Sequence, residues 1–288
     1  MNASGCFSTR GIACASTVVA ALFAGAPAQA GIVLSYPDFT GACGTTLTCV
    51  GATAVSGTAL RVTPAAGGQS GAGYSTTGIT LGPGATFSTT FQFEFTNPGG
   101  IDPADGITFV LAANPTGLGI GGGGIGYEGV PNSVAIEFDT FNNGGADISS
   151  NHVAIDTNGV LTNTAAANPY GAAVCEFPST YLQMGCMSNG DIWTATIGYD
   201  GTNLTVVVQD AANPAQTVIN SFAIDIASIL GTTTAFVGFT SGTGSGFENH
   251  DILSWRLAND TTLAAPEPGT FALLSAGFLG LWRARRRR

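Results

Sequence analysis

The chain has 288 residues, of which 42 are Gly and only 9% are charged, and its formal net charge is -10. It contains no Lys; Arg10, Arg283 and Arg285 to Arg288 lie near the ends, which leaves Arg61 and Arg256 as the only fixed cations of the body. Nucleic acid is excluded as a partner, because binding it needs basic surface that displaces counterions, whereas an acidic surface attracts cations.

Residues Met1 to Ala30 read as a secretory signal. Arg10 supplies the charge, Gly11 to Gly25 a small apolar stretch, and Ala28-Gln29-Ala30 an A-x-A cleavage site. Setting both ends aside leaves roughly 235 residues, enough for one large β domain with its own core. Six Cys are present, Cys6 and Cys14 in the leader. The other four allow three connectivities. An oxidising destination favours the two local pairs, Cys43 with Cys49 and Cys175 with Cys186. Neither pair has zinc-site spacing with a neighbouring His.

The body shows no amphipathic helix of useful length. Phe87, Thr89, Phe91, Phe93 and Phe95 alternate with Ser88, Thr90, Gln92, Glu94 and Thr96, the period of a half-buried strand. Ile107 to Leu111, Val134 to Phe138, Val153 to Ile155, Trp193 to Tyr199 and Leu204 to Val208 also read as strands. Asp225 to Leu230 is one short helical turn, followed by strands at Ala235 to Phe239 and Ile252 to Trp255. Gly, Asn, Asp and Pro clusters separate them. Many strands with turn signals between them predict an all-β sandwich.

One segment carries a charge anomaly. On a strand from Val134, Glu137 and Asp139 share a face opposite Ile136 and Phe138. Asp147 and His152 follow, and His152 opens the next apolar strand. No Lys or Arg lies between Arg61 and Arg256, yet fifteen of the 18 acidic residues do. Salt bridges can hardly neutralise the cluster. Protonation would require strongly raised pKa values on several neighbours. A divalent cation is the cheaper answer: carboxylate and amide oxygens suit calcium, and an imidazole suits a transition ion such as manganese. A solvated acidic loop is the alternative.

Three blocks then resemble the legume-type (L-type) lectins. They are Ala104-Asp105-Gly106 to Ala112 with Gly121 to Gly126, Val134 to Asp156, and Val237 to Gly246 running into His250 to Trp255. The Leu60 to Phe95 region is similar to the family's first strands, and the likeness spans about residues 55 to 258, within a lectin domain over 31–262. The resemblance implies a concanavalin-like antiparallel β-sandwich (jelly roll) with a sugar site at one end. It implies Glu137, Asp139, Asp147 and His152 as ligands of a transition metal (Mn2+-like), and Asp139, the Phe141 carbonyl, Asn143 and Asp147 as ligands of Ca2+. For the sugar it implies Asp105 as hydroxyl acceptor after a cis peptide from Ala104, Gly123 as backbone donor, Asn143 as amide, and Phe141 as stacking plate. Gly244 and Ser245 lie in the loop that tunes sugar choice. Asn143 and Asp147 stand one residue closer than in many members.

The resemblance implies a metal-dependent lectin for glycans or exopolysaccharide, not an enzyme, with a homodimer among the pairings such sandwiches adopt. A glycoside hydrolase on the same sandwich would need a second acid three residues after Asp139, where Asn142 stands. A structural matrix protein without sugar binding is the third reading. His250 is expected to be a strand-edge hydrogen-bonder rather than a ligand.

The tail, 266–288, has three parts: Pro266-Glu267-Pro268, an apolar run from Gly269 to Trp282, and the Arg-rich end. The run is about 14 residues, short of the roughly 20 of an ordinary spanning helix. The arrangement resembles the PEP-CTERM sorting signal. That resemblance implies an exported protein held briefly by a transmembrane helix, cut by an exosortase-type protease, and left at the cell surface or outside.

Overall fold

Sixteen strands dominate residues 31–82 and 84–259, the part of the chain that this computed structural model describes. They begin with β1 (Ile32–Tyr36), β2 (Leu47–Gly51), β3 (Ala54–Ser56), β4 (Ala59–Thr63), β5 (Ser70–Ser75), β6 (Ile79–Thr80), β7 (Phe87–Gly100) and β8 (Gly106–Ala112). They continue with β9 (Ser133–Asp139), β10 (His152–Thr157), β11 (Val160–Ala167), β12 (Trp193–Tyr199), β13 (Asn203–Asp210), β14 (Gln216–Ala223), β15 (Thr234–Gly242) and β16 (Gly246–Ala258). One short helix, α1 (Ile226–Leu230), falls where the sequence predicts a helical turn; Asp225 caps it by accepting from Ser228 N–H. The expected leader and sorting tail lie outside the described residues. Among the described residues no helix is long and apolar enough to cross a membrane.

Two eight-stranded antiparallel sheets face each other. One runs β14-β13-β12-β7-β16-β4-β3 with β1 on β16; the other runs β11-β10-β9-β8-β15-β5-β2 with β6 on β15. The alternation read from Phe87 to Phe95 is what joins them. Phe91 of the first sheet meets Phe109, Phe138 and Phe239 of the second at ring distances of 5.9, 5.6 and 4.9 Å. Trp255 lies 5.1 Å from Phe239, and its buried indole N–H donates to Thr89 Oγ1 (2.8 Å), which explains a Thr on an otherwise aromatic face. Both local cysteine pairs are disulfides, with Cα separations of 5.4 and 5.6 Å.

The second sheet also buries part of its outer face. Ala72, Tyr74, Val110, Ala112 and Ala135 form a smaller apolar cluster there, covered by Tyr127 and Val130. Those two belong to the long connection from β8 to β9, which climbs the sheet instead of turning tightly. Its Gly122 N–H reaches Thr243 O (3.1 Å), so the loop's tip meets the end of β15. A loop of that length inside a sandwich is usually functional.

Candidate metal and carbohydrate site

At one end of the second sheet, β9 finishes, β10 starts, β8 starts and β15 finishes. In register, Asp139 stands opposite His152 on one side and Gly106 on the other, while Glu137 stands opposite Ala154 and Thr108. Opposed residues share a face. Glu137, Asp139 and His152 therefore converge, with ligand atoms all within 4.8 Å of one another, and each is 2% exposed or less.

The hydrogen bonds set the protonation of this cluster. His152 Nδ1 lies 3.1 Å from the Ser149 carbonyl, which can only accept, so the ring donates from Nδ1. Burial holds the imidazole below its ordinary pKa and neutral. Its Nε2 lone pair then faces Glu137 Oε1 at 3.0 Å. Two acceptors at that distance need a proton or a cation between them. Burial also raises Glu137 and Asp139, with Asp147 pushing in the same direction. The buried oxygens Glu137 Oε2, Asp156 Oδ2 and Asn163 Oδ1 have no hydrogen-bond partner. Carboxylates, one neutral imidazole and orphaned buried oxygens fit divalent ions of the calcium and manganese kinds.

Asp147 sits differently from the triad. Its Oδ2 accepts from Asn143 N–H (2.6 Å) and its Oδ1 from Asn163 Nδ2 (2.8 Å), while Asn163 Nδ2 also lies 3.0 Å from His152 Nε2. Asp147 thus joins the cluster through Asn163, and the shortened loop closes with Gly144 and Gly145 at positive φ. Asp156 and Asn163 were not foreseen from the sequence. Asp156 lies two strand positions beyond Ala154 on the face of His152, so period-2 counting could have found it. It is pushed up to about 8 by burial and by Glu137. Asn163 gave no signal: β11 reaches it only past register irregularities and at positive φ.

The predicted sugar residues gather next to this cluster. The Ala104–Asp105 peptide is cis. Asp105 is 3% exposed and its Oδ2 has no hydrogen-bond partner. Burial pushes its carboxyl up to about 6, partly offset by His250, the Asn143 amide and Gly244 N–H. A Cβ on Gly244 would lie 3.6 Å from Asp105 Oδ2, and a Cβ on Gly123 would collide with the Asn143 amide at 2.5 Å. Asp105, Asn143, Gly123 and Gly244 thus share one small space, and a side chain at 123 would displace the Asn143 amide. Ser245 is exposed beside it, and its carbonyl accepts from Ile101 N–H (3.2 Å). Phe141 is half-buried at the start of the loop from β9 to β10, its N–H on Asp139 Oδ1 (2.7 Å).

Behind Asp105 a closed ring of bonds holds the turn. Gly106 N–H donates to His250 Nε2 (3.2 Å), so His250 is protonated on Nδ1, which faces Thr63 Oγ1 (2.8 Å). Thr63 Oγ1 meets Ser241 Oγ (2.7 Å), which donates to Gly106 O (2.7 Å). His250 hydrogen-bonds as expected, but it is fully buried on β16 between β7 and β4 rather than at a strand edge. Gly106 itself has φ 121°, and a Cβ there would lie 2.2 Å from Phe138 O, so only Gly can join the turn to β8 this close to β9.

Comparison with known proteins agrees with this geometry. A model of the legume lectin domain matches residues 32–270, and one of the PEP-CTERM protein-sorting motif matches residues 264–288. The chain is 30% identical over 244 residues to the lectin alpha chain of Lablab purpureus, covering 77% of this chain and 80% of that one. Among solved structures, a seed lectin of Lotus tetragonolobus superposes with a TM-score of 0.64 at 26% identity, covering 81% of this chain and 99% of that one. A Bauhinia forficata lectin in complex with GalNAc gives 0.65 at 23% identity, over 80% and 98% of the two chains, which speaks to the fold. The expectation that the chain is not an enzyme stands with these lectin relatives. With a matched domain spanning the sandwich and both sheets, this chain belongs to the legume lectin family.

Proposed function

We propose that the protein is an exported lectin whose sugar site depends on two metal ions. The observation that carries this reading is the meeting of the buried Asp105 carboxylate, whose Oδ2 has no hydrogen-bond partner, with Asn143, Gly123 and Gly244, directly beside the buried Glu137–Asp139–His152 cluster. A sugar presents hydroxyls and an apolar ring face. Asp105 accepts a hydroxyl proton, the Asn143 amide and Gly123 backbone donate, and the Phe141 ring stacks. Glu137, Asp139, Asp147 and His152 hold the transition ion; Asp139, the Phe141 carbonyl, Asn143 and Asp147 hold calcium. The ions do no chemistry. They neutralise the cluster and fix the Asn143 loop before sugar arrives, which lowers the ordering cost of binding.

A glycan array probed with and without calcium tests this. Binding to a defined set of glycans with calcium, and loss of signal without it, is expected. A folded, metal-loaded chain silent on every glycan would overturn the reading and favour a matrix protein that kept only the sandwich.

The PEP-CTERM match supports passage through the membrane and removal of the tail by an exosortase-type protease at the cell surface. Mass spectrometry of surface-associated protein is expected to find a C-terminus near Pro266-Glu267-Pro268. Mature protein that still carries the Arg tail would overturn the processing step.

A further inference from the structure

The connection from β11 to β12 carries a feature that the site above does not use. The Cys175–Cys186 disulfide closes a loop within it. Asn151 grips that loop from the metal side: its Nδ2 donates to Ala172 O (3.1 Å) and Gly185 O (2.9 Å), and its Oδ1 accepts from Met187 N–H (2.9 Å). Cys175 N–H donates to Ser150 Oγ (3.0 Å). On the sugar side, Phe177 N–H donates to Asp102 Oδ1. Asp102 precedes Asp105 by three residues, a reach of about 10 Å at most. The loop is thereby clamped between the segment that delivers His152 and the segment that delivers Asp105.

Beside exposed Glu176, Ser179 and Gln183, the loop presents an apolar patch. The Phe177 and Tyr181 rings stack at 4.7 Å and 16°, and Phe177 is 38% exposed. Leu182 and Met184 stand out beside them, and so does Ile101, next to Asp102. A disulfide-closed loop pinned at several points keeps its aromatic pair in place without a ligand, so binding there costs little ordering. The charges nearby, Asp102 and Glu176, are acidic, and no Lys or Arg occurs between Arg61 and Arg256. Anionic polymers and anionic lipid headgroups are repelled. A neutral polyol with one apolar face fits an aromatic plate ringed by acceptors.

We infer that the disulfide loop is a second carbohydrate subsite, in which the Phe177–Tyr181 stack takes the apolar face of a neighbouring sugar in a neutral oligosaccharide anchored at Asp105. The inference rests on the lectin reading and deepens it: the ligand is a chain of sugars rather than a single one.

Calorimetric titration of the calcium- and manganese-loaded protein tests it. The probes are methyl glycosides of mannose, glucose, galactose and N-acetylgalactosamine, each beside its di- and trisaccharides. The wild-type chain is expected to bind one oligosaccharide series about tenfold tighter than its monosaccharide, the worth of one well-stacked apolar face. Phe177→Ala with Tyr181→Ala is expected to erase that gain and leave monosaccharide affinity unchanged. Phe177→Leu keeps the apolar bulk, loses the flat face, and is expected to lose most of the gain as a folded control. Monosaccharide binding without any oligosaccharide gain, or a gain that survives these substitutions, overturns the subsite and leaves the lectin reading intact. No glycoside binding at all by folded, loaded protein overturns both.

Discussion

Stripping divalent ions with a chelator at pH 8 is expected to lower the Tm of this protein by about 5–10 °C, and the loss is expected to shrink towards pH 5. The size follows from mass action: an ion at a hundred times its Kd stabilises the folded state by about 2.7 kcal/mol, and each kcal/mol moves the Tm of a domain this large by about 2–4 °C. The pH dependence follows from Glu137, Asp139 and Asp156, all buried and all raised above the ordinary carboxylate range. A carboxyl whose folded pKa lies above its unfolded value binds more protons when folded. Its stabilising contribution is therefore complete below about pH 4 and is lost as pH rises through the folded values, up to about 8 for Asp156. In the stripped chain, then, stability falls as pH rises. Metal replaces those protons and removes the loss, so loaded and stripped proteins converge in acid and separate in base. Calorimetry of both forms from pH 5 to 8 reads this directly, and elemental analysis of the loaded form is expected to find calcium and a transition ion near one each. A stripped chain whose Tm holds or rises over that range would sink the metal assignment.

Replacing Asp105 by Asn is expected to cut glycan affinity by about a hundredfold or more while leaving the domain folded. Asp105 Oδ2 is buried and unpartnered, so it is poised to accept from something outside the protein. An amide of the same shape presents a donor where a sugar hydroxyl also donates. A buried polar group left facing its like costs about 1–3 kcal/mol, and more where one partner is charged. Stability is expected to hold or improve, because the substitution removes a carboxylate that burial already penalises. Titration with the glycan found on an array, alongside thermal unfolding, separates the two effects. Undiminished binding by the variant would refute the role of Asp105.

Much of the framework was legible because it is periodic. Phe87 to Phe95 announced a buried face by alternation, and the structure uses those rings as the bridge between sheets. Two of the strands that escaped notice, β5 and β11, lack apolar alternation. In β5, Gly71 and Gly73 leave no hydrophobic pattern to read; a Cβ on Gly71 would lie 2.1 Å from Val62 O, so small residues were required by neighbours distant in sequence. Strand β11 is largely exposed and broken by register shifts, so its burial pattern never alternates.

The site divides in the same way. The pairing of Glu137 with Asp139 on one strand face, the lack of cations to neutralise them and the order of the lectin blocks are local properties, and local properties survive in a linear chain. They sufficed to single out the acidic cluster, Asp105, Gly123 and Asn143 as candidates, and to favour both disulfides. Burial and pairing between distant segments do not survive. Only the folded chain decided that Asp156 and Asn163 join the cluster, that Asp147 enters it through Asn163, that His250 braces Gly106, and that the disulfide loop lies against Asp102. Each of those contacts depends on which strands become neighbours and in what register, and a one-residue slip would turn every one of these side chains to the opposite face.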